Sequence, residues 1–538
     1  MDTTRACAPP LAAVRAPAAP SDGRLPAFLI ALIAVAAVLA RLPFLALPPS
    51  SDEGGYLLVA SQWAPGSSLY GDYWVDRPPL LIAFFALADR LGGLPALRVL
   101  GLLLVVASVL AAAALGAAAA PRPRSARVAV ACAATAAVFL VNPLFGTTEV
   151  NGELIAAPLV LTGVAMLLRG VRARPGQGRT CWLTAAGGAG AAAVLVKQNE
   201  WDVALAAAVV LLGARASPSR SSRVADCLAV VAGALLLAAV VLGAAAWRGT
   251  PTARLWDAVV VFRWEAATLI GRAAGPATTD RMVDLVLALL LSGAPLLVLL
   301  LLRRVRRAAV PGAIDLRWAA LALLAWEGFV VVAGGGYWLH YLVYLVPGLV
   351  LAVACLQTRA PVVGPGGQLP SGTWTVLGAA ALVCLVSIVW TASHSPRGPE
   401  PVVTWLQQNT RPGEDAVVVY GQPDVLQAAG LSSPYPQLWT LPARVHDPRL
   451  LDLAALLDGP RAPDWVVLTG ASMRTWGVDA TAGTEALARS YGQVADVDGY
   501  TVHRRLERPG VDTAVMPDHA RLPDPSPALL DTTMGSPR

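Results

Sequence analysis

Residues Ser51 to Leu80, SDEGGYLLVASQWAPGSSLYGDYWVDRPPL, decide how this chain is read. The stretch follows a long apolar run and opens with adjacent carboxylates, Asp52 and Glu53. A segment dense in Tyr and Trp comes next, closing on Asp76-Arg77-Pro78-Pro79. The sequence is 56% hydrophobic and only 14% charged, so this concentration of ionisable groups beside a membrane anchor calls for a reason. One account is a solvated loop with interfacial aromatics, since Tyr and Trp favour the headgroup level. The other is an active site at the membrane edge, with carboxylates for chemistry and an arginine for an anionic substrate.

Working outward, the 538 residues contain repeated apolar runs. Many approach the ~17–25 residues a bilayer-spanning helix needs. The formal net charge of +6 says little about partners, because the arginines sit in short clusters between the apolar runs. That is the pattern of topogenic signals, and nucleic acid is not an expected partner. Of the six cysteines, only Cys7 lies away from an apolar segment, and no CxxC pair or His/Cys cluster occurs. Neither a disulfide framework nor a zinc site is indicated. Abundant Ala and Arg, with Lys197 as the single lysine, suggest a GC-rich coding sequence and a bacterial plasma membrane.

Eleven spans are expected, near 26–47, 97–120, 129–145, 154–168, 181–196, 203–212, 224–246, 282–302, 318–333, 339–356 and 374–390. Arg5, Arg15 and Arg24 precede the first, and clusters including Arg122, Arg172, Arg215 and Arg307 then fall on the same side. This places the N-terminus in the cytoplasm and Asp52 outside. Leu80 to Ala88 is too short to cross and reads as a juxtamembrane or re-entrant helix. In the 247–281 loop, Leu255, Val259, Phe262, Ala266 and Leu269 recur at helical spacing, with Arg254, Asp257, Arg263 and Glu265 off that stripe. An amphipathic interfacial helix is expected there. The stretch from Trp256 to Trp264 reads as its anchor.

The predicted fold class is thus an all-α polytopic membrane domain over 25–392, followed by an extracytoplasmic α/β domain over 393–506. Residues 1–24 and 507–538 read as disordered. Short β-rich runs at Ala416–Tyr420 and Asp464–Leu468, and a hairpin around Asp498-Gly499, mark the second domain.

The outer loops each contribute ionisable groups: Asp52, Glu53, Asp72, Asp76 and Arg77, then Glu149 and Glu153, then Lys197, Arg254, Arg263 and His340. A carboxylate beside an apolar wall can take a proton from a hydroxyl or bind a divalent cation. Arginine bonds two phosphate oxygens at once. Together they suit group transfer from a phosphate-bearing lipid.

Asp52-Glu53 with Tyr56, the Gly66-to-Tyr70 segment, and Arg77-Pro78-Pro79-Leu80 resemble the GT-C superfamily of integral membrane glycosyltransferases. The likeness is to the bacterial branch of aminoarabinose lipid A transferases and protein O-mannosyltransferases. Lys197-Gln198, and His340-Tyr341 leading into the Pro347 helix, extend it over roughly residues 25–390. The resemblance implies Asp52 as catalytic base or metal-associated carboxylate, with Glu53 beside it. It implies a polyprenyl-phosphate sugar donor. A divalent metal cation at Asp52 is the one cofactor considered. Arg77, Lys197, Glu149, Glu153, His340 and Tyr341 are the candidate substrate-binding residues, and the acceptor is a cell-envelope glycan, lipid or protein. Some relatives carry Lys-Pro-Pro where this chain has Arg77-Pro78-Pro79.

Each candidate has a plainer account. Glu53 suits a helix start, Lys197 could snorkel to the interface, and His340 could serve backbone carbonyls. A secondary transporter is the rival class. It would place its charges near the midplane of repeated halves, whereas here they cluster at one edge and no repeat is apparent. A non-catalytic sugar-binding membrane protein is the third reading.

Overall fold

The computed structural model describes residues 24–213, 220–272, 276–306, 313–359, 371–394, 398–475 and 477–506. The disorder read for 1–23 and 507–538, and the placement of Arg5, Arg15, Arg215 and Arg307, lie outside the described residues. The apolar part of the chain forms α1 (Arg24–Arg41), α2 (Ser51–Ser61), α3 (Pro79–Arg90), α4 (Leu94–Ala119), α5 (Arg122–Leu140), α6 (Gly152–Arg172), α7 (Gln177–Val196) and α8 (Asp202–Leu212). It continues with α9 (Arg220–Trp247), α10 (Thr252–Trp256), α11 (Phe262–Arg272), α12 (Pro276–Leu291), α13 (Ala294–Arg304), α14 (Arg317–Ala333), α15 (Val346–Thr358) and α16 (Ser371–Ser393). A short 3-10 turn, Leu339–Leu345, leads into α15.

All eleven expected runs fall on helices. Among the described residues, seven helical segments are long and apolar enough to cross a bilayer, and the bent pair α12–α13 makes an eighth. The 11 residues of α8 reach only about 16 Å. The run expected as one span near 282–302 is two helices bent by 59°. Gly293 at φ +81 takes a left-handed turn, and the Pro295 ring removes a backbone donor just beyond it. The centre of the bundle is α15, of which every residue is buried, as befits a helix apolar all round. By contrast, α9 and α16 present bare leucine and valine to the surroundings, with Leu235 at 65% and Val389 at 59% exposure.

The decisive stretch folds as its local signals require. Ser50 caps α2: its hydroxyl accepts from the Glu53 N–H at 3.2 Å, and the Glu53 carboxylate accepts from the Ser50 N–H at 3.0 Å. This reciprocal capping box satisfies two otherwise orphaned donors. Pro78 and Pro79 start α3, whose 12 residues span about 18 Å, so it stays short of a crossing. The aromatics between the two helices are not interfacial ornaments. Trp63, Tyr70 and Tyr73 are buried, with the Tyr70 hydroxyl donating to the Arg77 carbonyl at 2.7 Å and the Trp63 indole donating to Thr250 at 3.0 Å.

The C-terminal region is α/β: α17 (Glu400–Asn409), β1 (Ala416–Val418), α18 (Pro423–Ala429), α19 (Thr440–His446), α20 (Leu451–Asp458), β2 (Trp465–Thr469), α21 (Thr481–Ser490), β3 (Tyr491–Val497) and β4 (Tyr500–Arg505). The sheet order is β1-β2-β4-β3. Strand β1 lies parallel to β2, with Val417 opposite Val466, and β4 is antiparallel to both β2 and β3. Asp498 (φ +52) and Gly499 (φ +84) make the β3–β4 turn, both with the positive φ a tight hairpin demands.

This region sits directly on α2. A Cβ at Gly54 would lie 2.4 Å from the Asp424 Cα, and one at Gly55 would lie 2.3 Å from the Trp439 ring. The Gly-Gly pair therefore removes side chains where two surfaces meet. The Trp74 N–H donates to the Pro436 carbonyl at 2.9 Å, and the Ser433 N–H to the Tyr73 hydroxyl at 2.8 Å.

Candidate active site

Two buried arginines shape the floor of the site. Arg41, at the end of α1, donates to the carbonyls of Thr147 and Leu140. Arg98, in the first turns of α4, bonds the carbonyls of Phe44 (3.2 Å), Thr148 (2.6 Å) and Pro48 (3.3 Å). It also forms an ion pair with Glu53 at 2.7 Å. The second Glu53 oxygen accepts from the Val150 N–H at 2.8 Å. Glu53 thus ties α2 to the 146–151 loop with both oxygens engaged. Burial pushes its carboxyl up to about 7, against the pull of Arg98. In this geometry both oxygens of Glu53 hold α2 against its neighbours.

Around that floor the expected residues converge. Asn151 caps α6 through its side-chain oxygen, which accepts from the Leu154 N–H at 3.0 Å. The cap sets Glu153 in the first turn, where it pairs with Lys197 at the end of α7. The Lys197 ammonium also lies over the rings of Tyr341 (5.4 Å) and Tyr344 (5.1 Å). His340 stands between two acids, with Nδ1 at 3.0 Å from Glu149 and Nε2 at 3.9 Å from Glu153. Burial alone would raise the Glu149 carboxyl, but the bond from His340 holds it below the ordinary value.

On the other side, Asp76 pairs with Arg77 at 2.6 Å and with Arg263, which reaches across from α11. Desolvation would raise Asp76; Arg263 and Arg77 together hold it low. The amphipathic reading of 247–281 holds, with Leu255, Phe262 and Ala266 buried and Trp256 and Trp264 exposed. Arg263, off the apolar stripe and among the outer-loop groups expected near the site, reaches Asp76. Arg254 and Asp72 do not join it: Arg254 meets only the Ser67 carbonyl at 3.4 Å, and Asp72 stabilises the 67–72 turn.

Asp52 differs from its neighbours. Among the described residues no cationic nitrogen lies within ion-pairing distance of it, and its nearest polar contact is the Tyr56 hydroxyl at 3.4 Å. The Arg77 guanidinium lies over the same Tyr56 ring at 5.7 Å. Burial pushes the Asp52 carboxyl above its usual value, opposed by Arg77, His340 and Lys197. Asp52 is therefore a partly exposed acid facing cations without being locked to one. It can accept a proton.

The metal reading fares differently. Among the described residues, no three His, Cys, Asp or Glu side chains are grouped to hold an ion. The charged groups that act on Asp52 are Arg77, His340, Glu149 and Lys197.

Sequence reasoning passed over Arg41 and Arg98, though a lone arginine at each end of an apolar run was the available signal. It also passed over three buried acids, Glu200, Asp202 and Glu327, at 3%, 1% and 1% exposure. Glu327 accepts from the Gly348 N–H at 2.8 Å.

The helical bundle, the short α3 and the α/β region packed on α2 together give a multi-pass membrane fold that is GT-C-like. The structure is similar to ArnT from Cupriavidus metallidurans bound to undecaprenyl phosphate, with TM-score 0.56 and 16% identity over 89% of this chain and 97% of that one. It is also similar to the Archaeoglobus fulgidus oligosaccharyltransferase tethered to an acceptor peptide, with TM-score 0.50 and 11% identity over 87% and 72% of the two chains. The archaeal oligosaccharyltransferase AglB from Archaeoglobus fulgidus, in complex with an inhibitory peptide and a dolichol-phosphate, gives TM-score 0.50 and 11% identity over 82% and 69%. No family model and no curated protein matches the sequence.

Proposed function

We propose that this chain is a membrane glycosyltransferase, moving a hexosyl or pentosyl group from a polyprenyl-phosphate donor to a hydroxyl on a cell-envelope glycan, lipid or protein. The observation that carries this reading is Asp52, the carboxylate of the cluster left without a cationic partner, set among Arg77, Lys197 and His340. The lipid phosphate bound by ArnT supports the donor class.

In the proposed reaction Asp52 takes the proton of the acceptor hydroxyl as its oxygen bonds the anomeric carbon. The bond from that carbon to the phosphate oxygen breaks, and its electron pair leaves on the lipid phosphate. Arg77 and Lys197 stabilise that charge, while Asp76 and Glu153 keep the two cations in place. Tyr341 and His340 line the sugar side. A cation bridging Asp52 and phosphate would need ligands from the substrate, and no step here depends on one.

The donor assignment is tested with purified protein in nanodiscs. Arg77→Ala removes a charge-assisted bond worth about 1.5–3 kcal/mol. Donor use should fall roughly ten- to hundredfold. Efficient use of a soluble nucleotide sugar, with no lipid carrier, would overturn the assignment.

We further propose that the bundle crosses a bacterial plasma membrane with the site and the 393–506 domain outside. The arginines of the opposite end support this orientation, among them Arg124 bonding the Thr358 carbonyl and Arg172 the Ala119 carbonyl. In a cysteine-free background, Ser67→Cys and Thr484→Cys should react with an impermeant thiol reagent in intact cells. Arg174→Cys should react only after permeabilisation. The reverse pattern would invert the topology.

A further inference from the structure

A cavity lies at the start of α2, where the C-terminal region packs against it. It measures about 360 Å³ and is lined by Ser51, Gly421, Gln422, Asp424, Asp498 and Tyr500, with Gly398 and Pro399 at its edge. This volume falls within the ~300–1,000 Å³ of small-molecule sites. One wall is the start of α2, where Ser51 immediately precedes Asp52. The other walls come from the C-terminal region, at the start of α18 and the β3–β4 hairpin.

The lining is polar and largely prearranged. The Ser51 hydroxyl donates to the Gly421 carbonyl at 2.8 Å, and the Tyr500 hydroxyl donates to the Gln422 side-chain oxygen. Asp424 is only 5% exposed, and its Oδ1 has no hydrogen-bond partner. A buried carboxylate oxygen with nothing to accept costs free energy unless a ligand supplies a donor. The backbone of Asp424 is pressed against Gly54, so this group is fixed relative to α2 and to Asp52.

The charge of the lining restricts the ligand. Among the described residues, the lining holds two acids, Asp424 and Asp498, and no lysine, arginine or histidine. A phosphate or carboxylate group would meet like charge with no compensating cation. A hydroxyl-rich neutral group would donate to Asp424 and Gln422, and could lie against the Tyr500 ring.

We propose that this cavity is an acceptor subsite, binding an uncharged sugar residue of a glycan next to the residue whose hydroxyl reacts at Asp52. The inference rests on the transferase reading above and sharpens it: the acceptor is a neutral glycan, not a phosphorylated lipid headgroup. The C-terminal region is then part of the substrate-binding unit.

Two measurements on the full-length protein in nanodiscs separate the subsite from the reaction. The first is binding of neutral mannotriose and arabinotriose, followed by saturation-transfer NMR, which needs no turnover. The wild type should give saturation transfer with at least one trisaccharide, and the corresponding phosphorylated trisaccharide should bind at least tenfold more weakly. Asp424→Asn and Gln422→Ala should each weaken the neutral signal by about tenfold. The second is transfer from a polyprenyl-phosphate sugar to the same trisaccharide. There both variants should raise the acceptor KM about tenfold, with kcat and the donor KM within twofold of wild type. Gln422→Ala, a change at a partly exposed position, reports on the subsite even if Asp424→Asn folds poorly. Unchanged binding and acceptor KM in Gln422→Ala and folded Asp424→Asn would overturn the proposal, as would preference for the phosphorylated probe or no binding of either neutral sugar. Absence of any transfer with trisaccharide binding intact would instead count against the transferase reading and leave the sugar site standing.

Discussion

Asp52→Asn should reduce glycosyl transfer by about a hundredfold or more while leaving expression, membrane insertion and thermal stability near wild type. The change keeps the shape of the side chain and removes its ability to take a proton. Stability should hold because, among the described residues, Asp52 has no ion-pair partner to lose and meets the Tyr56 hydroxyl at 3.4 Å. Asp52→Glu should also lose activity, because one more methylene displaces the carboxylate by about 1.5 Å and such chemistry is sensitive to that distance. The pH profile carries a sign that can be checked. A base must be ionised, and burial raises the Asp52 carboxyl above its ordinary value despite Arg77, His340 and Lys197. The acid limb of kcat/KM should therefore fall at a pH above the ~3.9 of a free aspartate, and it should disappear in Asp52→Asn. Near-normal transfer by well-folded Asp52→Asn would remove Asp52 from the mechanism and turn attention to Glu149.

Arg98→Met should be the most damaging change to the architecture of the site. It removes the partner of Glu53, whose side chain is fully buried, and three carbonyl contacts from the same guanidinium. Breaking a buried ion pair on one side costs about 3–5 kcal/mol, because the remaining charge is left desolvated. Melting in nanodiscs should drop sharply, and transfer should be lost with it. Glu53→Gln should be milder, since an amide still fits the cap and its partner is the more adaptable cation. The double variant Glu53→Gln/Arg98→Met should be less unstable than the sum of the two single changes. Equal melting of Arg98→Met and wild type would show that the pair does not hold α2 in place.

The contrast between Asp52 and Glu53 is informative about what a sequence can convey. Both are acids at the start of one helix, and in sequence they look interchangeable. They diverge because the α-helix turns about 100° per residue, which aims one at the site and the other at α4. The partner waiting on α4, Arg98, lies 45 residues away.

What the sequence determined by itself is whatever depends on near neighbours and on solvent. Apolar runs of sufficient length become helices because hydrocarbon tolerates no unpaired backbone group. Ser50 and Glu53 cap α2 across three residues, Pro78 and Pro79 start α3, and Asp498-Gly499 turns the last hairpin. The stripe from Leu255 to Ala266 buries one face of its helix. Only the tertiary structure decided the pairings made across long separations: Arg41 with Thr147, Arg263 with Asp76, Lys197 with Glu153, and Asp424 with Gly54. A charge declares its presence locally, but its role is set by the low-dielectric surroundings and the partner it meets there. Those come from how helices and sheet pack, so the same residue types read as a solvated loop in one dimension and as a site in three.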